Sequence, residues 1–83
     1  MARKSKIEKK QHDIAVLERK IYAYERVREA ISNLAYEMRD DAYALEALNS
    51  IDRTIFAQLQ FMYAGLMRLR DELKKLQPYE PQA

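Results

Sequence analysis

From Ile55 to Leu76 the apolar residues Ile55, Leu59, Met62, Leu66, Leu69, Leu73 and Leu76 follow one another in alternating steps of four and three. That spacing is a heptad stripe on one side of a helix, and it has to be covered by another helix. The first 64 residues of the chain contain neither Gly nor Pro, the residues that make tight hairpins and sheet corners. An all-α fold follows. With 83 residues, one core is the most the chain can build.

A second stripe runs through the first half. Ile7, Ile14, Ile21, Ala35 and Ala42 form one row, and Leu17, Tyr24, Ile31, Met38 and Leu45 the other, with Lys10 and Arg28 as interruptions. Extended past Leu45, this register would put Asp52 and Phe56 on the seam, whereas the second register uses Leu48, Ile55 and Leu59. Such a slip marks a stammer or a chain reversal. Asn49-Ser50 lies beside the slip and offers a helix terminator followed by an N-cap. A turn near 49–50 is therefore expected; Asp40-Asp41 is the competing position, since either Asp could cap the next helix, but a turn there would cut a register still running. The expected organisation is a frayed basic segment at 1–6, a helical hairpin over 7–77, and a mobile tail at 78–83 whose Pro78 stops the second helix.

Both stripes are wider than a two-helix seam requires. Val16, Ala23, Val27, Ala30 and Leu34 add a second apolar row to the first helix. In the second helix Phe56, Tyr63 and Met67 line one flank, and Phe61 and Ala64 extend the other. A large apolar side chain left exposed forgoes roughly 1.5–3 kcal/mol, so four or five would equal the whole stability of a small domain. The expectation is a long antiparallel hairpin pairing into a dimeric four-helix bundle. Its oligomer core is expected at Ile55, Leu59, Met62, Leu66, Leu69 and Leu73, with Phe56, Tyr63 and Met67. Gly65, which costs about 1 kcal/mol inside a helix relative to Ala, is expected where a large side chain such as Tyr24 or another helix comes close.

Charge is uneven. Arg3, Lys4, Lys6, Lys9, Lys10, Arg19 and Lys20 stand against Glu8, Asp13 and Glu18 in the first twenty residues, while the whole chain carries only +2. This basic patch is a candidate contact for nucleic acid, although so few cations make a weak footprint. Six tyrosines are the unusual feature of the composition. Tyr22, Tyr36 and Tyr43 are expected along one edge of the first helix as a partner surface, because Tyr covers area at little entropy cost. No apolar run reaches the roughly 18 residues that span a bilayer, no signal-peptide core follows the basic start, and Cys is absent. A cytoplasmic protein is the expectation.

Catalytic ingredients are thin. His12 follows Glu8 by four residues in the most polar stretch, a spacing that does not make the Glu-x-x-His pairs of bundle metal sites. Glu37-x-x-Asp40 resembles half of the paired acidic motif that holds magnesium in all-α nucleotide pyrophosphohydrolases, but the other half is missing, since Glu25 and Glu29 are four apart. One Gly cannot build a phosphate loop, and no Ser-His-Asp set comes together. The expected function is non-enzymatic, without cofactor or metal. It is a small helical interaction protein acting as a homo-oligomer, an adaptor, chaperone-like binder or regulator of a larger protein. The alternative is a nucleic-acid-binding dimer that uses its basic end.

Overall fold

The computed structural model describes residues 5–76 as two helices joined by a short reversal. The first helix, α1, spans Lys6–Glu37, and the second, α2, spans Ala42–Leu76. They lie side by side and antiparallel in a rod of 59 × 25 × 22 Å. No strand occurs among the described residues. The expected tail at 78–83, and Arg3 and Lys4 of the basic patch, lie outside them.

Helix α1 starts one residue earlier than the apolar pattern indicates, because a cap fixes it. The Ser5 hydroxyl accepts from the Glu8 backbone N–H at 3.0 Å, and the Glu8 carboxylate accepts from the Ser5 N–H at 3.1 Å. This reciprocal pair satisfies two of the donors that a helix start leaves free.

The reversal is at 38–41, not near 49–50. Asn49 and Ser50 lie inside α2, where the Ser50 carbonyl accepts from the Thr54 hydroxyl at 3.3 Å. Two local contacts favour the earlier site. The Arg39 guanidinium donates to the Tyr36 carbonyl at 2.9 Å, closing the end of α1. Asp41 accepts from the Ala44 N–H at 3.1 Å, an N-cap for α2. The chain turns without any residue at positive φ, so Gly is not needed there. Met38 and Ala42, expected on the seam, are exposed. The α2 stripe in fact runs back without a slip, through Ile55, Asp52, Leu48 and Leu45, all half-buried. Asp52 looked like a break in the pattern and is a seam residue.

The core is small. Ile21, Leu59 and Leu66 are buried together, with Ile14, Leu17, Tyr24, Ile55 and Met62 packed against them, and Ile31 is buried nearer the turn. Gly65 departs from expectation in its neighbour. A Cβ there would meet Leu17 Cδ2 at 3.6 Å, an ordinary contact, so nothing in the hairpin demands glycine.

Two outcomes follow. Ala42→Pro, at the first position of α2, is expected to leave the melting curve nearly unchanged, whereas Ile51→Pro removes an interior hydrogen bond and costs about 3 kcal/mol in denaturant unfolding. Gly65→Ala is expected to raise stability by about 0.5–1 kcal/mol in the same assay, because the backbone gains helix propensity and the methyl group has room.

Candidate interaction surfaces

Each helix carries a charge in or beside its seam that meets an opposite charge on the other. Arg28 Nε and Nη2 donate to the two carboxylate oxygens of Asp52 at 2.9 and 3.0 Å. The same guanidinium lies 4.8 Å from the centre of the Phe56 ring. Lys10 pairs with Glu72 near the open end of the hairpin. Both interruptions of the first stripe are thus answered on α2.

The remaining cross-helix contacts define the sides of the rod. With Ile14, Ile21 and Arg28 at heptad position a of α1, Glu18 and Glu25 occupy e. With Asp52, Leu59 and Leu66 at a of α2, Phe56, Tyr63 and Arg70 occupy e. In an antiparallel pair the two e rows face each other along one edge. Arg70 duly meets Glu18 at 2.6 Å, and the Tyr63 hydroxyl donates to the Glu25 carboxylate. This edge is closed by polar contacts. The opposite edge, lined by the g and c rows, carries Val16, Ala23, Val27, Ala30 and Leu34 of α1 with Ile51 and Phe61 of α2, and its polar members between the ends are Lys20, Thr54, Gln58 and Arg68. The apolar side chains of this edge are all exposed, Phe61 to 75%. The rod therefore has a polar-aromatic edge and an aliphatic one.

These sides redistribute the residues singled out from sequence. Ile55, Leu59, Met62, Leu66, Leu69 and Leu73 lie along the seam with α1 and are buried or half-buried within one chain. Phe56 and Tyr63 are held by Arg28 and Glu25, and Met67 next to them is 70% exposed. Tyr22 and Tyr36 share a row of α1, with Arg26 5.9 Å from the first ring and Arg39 4.5 Å from the second. Tyr43 does not join them, because the reversal at 38–41 places it on α2, where it is 86% exposed. For the same reason Glu37 and Asp40 share no helix, Glu37 ending α1 and Asp40 lying in the reversal.

At the open end, Lys6, Lys9, Lys10 and Lys75 line a groove of about 530 Å³ together with Asp13, Glu72 and Leu76. Arg19 and Lys20 are exposed further along α1. His12 is exposed, and among the described residues no three His, Cys, Asp or Glu side chains stand close enough to hold a metal ion.

The ion pairs shift titration in a defined direction. Hydrogen bonds from Arg28 hold the Asp52 carboxyl below the usual carboxylate range, against the opposing effect of burial. The hydrogen bond from Lys10 does the same to Glu72. The Tyr63 phenol is pushed up, first by its hydrogen bond to the Glu25 carboxylate and then by burial. A depressed carboxyl stabilises the fold above its unfolded value, about 3.9 for Asp, and that contribution disappears as pH falls through the folded value. The fall in Tm between about pH 6 and about pH 3 is therefore expected to be smaller in Asp52→Asn than in the wild type, while Asp52→Asn melts lower at pH 6.

The sequence matches no protein-family model, and neither a curated protein nor a solved structure is significantly similar to it.

Proposed function

We propose that this chain is a non-enzymatic helical interaction protein that acts as a homo-oligomer and serves as an adaptor, chaperone-like binder or regulator of a larger protein. One observation carries the reading. Among the described residues only Ile21, Ile31, Leu59 and Leu66 are buried, while thirteen large hydrophobic side chains are exposed. Two helices alone cover half of what the sequence offers for burial. Where they share one edge, as Val16, Val27, Leu34, Ile51 and Phe61 do, exposed apolar side chains of this kind mark an interaction site. Pairing into a four-helix bundle gives each helix a second neighbour and covers part of the rest. The tyrosine row of Tyr22 and Tyr36, with Met67 near the polar-aromatic edge, is the surface best suited to a different protein, since rigid rings and adaptable thioethers bind at low entropy cost.

A second reading rests on the lysine groove. Lys6, Lys9 and Lys75 together favour contact with nucleic-acid phosphates, in which case affinity would fall steeply with salt. Asp13 and Glu72 in the same groove, and the pairing of Lys10 with Glu72, reduce that field and favour the protein reading.

Sedimentation equilibrium at micromolar concentration is expected to give at least twice the chain mass of 9.9 kDa. A folded species at the single-chain mass would overturn the homo-oligomer. Generic DNA or RNA is expected not to bind at about 50 mM salt, and salt-sensitive binding there would instead establish the second reading.

A further inference from the structure

The homo-oligomer reading leaves open which side of the rod is covered, and two features of the aliphatic edge decide it. The first is a row of α1 at steps of seven, Lys9, Val16, Ala23, Ala30 and Glu37, all exposed. Charge stands only at its ends, and the ends have opposite sign. The row maps onto itself when turned about Ala23: Lys9 then meets Glu37, and Val16 meets Ala30. The second is the charge of the whole rod. The reversal carries Glu37, Asp40, Asp41 and Glu46 against Arg39 alone, while the open end carries the lysine groove on the same edge as the row.

We propose, resting on the homo-oligomer reading, that a second copy of this chain covers the aliphatic edge in an antiparallel dimer whose twofold axis passes beside Ala23. Residue 23 lies near the middle of the rod, since α1 starts at Lys6 and the chain reverses at 38–41. The two copies therefore overlap along nearly their whole length. Each acidic reversal, with exposed Met38, comes to the lysine groove of the other copy. At the axis Ala23 is small enough to let the two α1 helices approach, Val27 stands one turn away, and the exposed Lys20 and Arg26 flank the contact with stems that reach out to solvent. The contact Arg28–Asp52 marks the level of α2 against α1. From that level the same axis brings Phe61 beside Val27 of the second copy and Ile51 beside Val16.

The area is sufficient. The strip from Val16 to Leu34 is about 27 Å long and two helices, about 20 Å, wide. That is about 500 Å² per copy and about 1,000 Å² in total, the lower bound for a specific interface before the lysine groove is counted. A parallel dimer through the same strip would set lysine groove against lysine groove and acid against acid. The polar-aromatic edge is a poorer candidate, because Glu18, Glu25 and Arg70 there are already engaged within one chain.

The chain contains no Cys, so one introduced thiol reports its own neighbour. Ala23→Cys is expected to link two copies with a short bismaleimide, and Met67→Cys, on the other side of the rod, is not. Ala23→Arg adds two cations at an axis already flanked by Lys20 and Arg26 of both copies, and is expected to sediment as a folded, helical single chain at a concentration where Met67→Arg remains a dimer. Lys9→Glu is expected to weaken the dimer at low salt, and adding Glu37→Lys to restore it. Linking at 67 but not at 23, with dissociation by Met67→Arg, would place the interface on the other edge and leave the homo-oligomer standing. Failure of Glu37→Lys to rescue Lys9→Glu would overturn the antiparallel arrangement. A wild-type chain that sediments alone would end both readings and leave the edge to a different partner.

Discussion

The bidentate pair between Arg28 and Asp52 fits the one register that the four-residue reversal at 38–41 allows this hairpin. Apolar heptads alone do not fix it, because sliding one helix by seven residues past the other sets leucine and isoleucine against leucine and isoleucine again. A slide by seven in either direction would put Arg28 against Leu45 or Leu59 and leave both charges in the seam without partners. Both side chains keep about a third of their surface in water, 38% and 29%, so the pair adds modestly to a register that the short reversal already fixes. Lys10 with Glu72 repeats the device near the open end, and Glu18 with Arg70 and Glu25 with Tyr63 fasten the edge between them.

Fastening one edge has a consequence for the other. The polar-aromatic edge spends its hydrogen-bonding groups within the chain, whereas the apolar side chains of the aliphatic edge have none to spend. Val16, Ala23, Val27, Ala30, Leu34, Ile51 and Phe61 gain only from burial. Such a rod is stable to the degree that something covers that edge. The small buried core and the proposed second copy are two aspects of one shortage of partners, as expected for a chain this short.

The misplaced turn has an instructive origin. Reading a seam as apolar residues only makes Asp52 a fault and moves the reversal to Asn49-Ser50. Allowing one charged residue per seam, with its complement on the other helix, makes the α2 stripe continuous from Leu45 and pushes the reversal back to Asp41. The cap at the other end was legible too, since Ser5-Lys6-Ile7-Glu8 is a capping box in plain sequence. Gly65 was not, because whether a Cβ fits depends on how near Leu17 comes across the seam.

The sequence by itself determined two long helices, their antiparallel pairing and the residues of the seam, because all of these follow from the spacing of apolar side chains along one chain. It also announced surplus apolar surface. Only the tertiary structure decided where the chain turns, which charges meet, and which edge stays uncovered. Those depend on distances between residues far apart in sequence, and a helical pattern is blind to them until the register is set. The pairs that fit it, Arg28 with Asp52 and Lys10 with Glu72, join positions 24 and 62 residues apart.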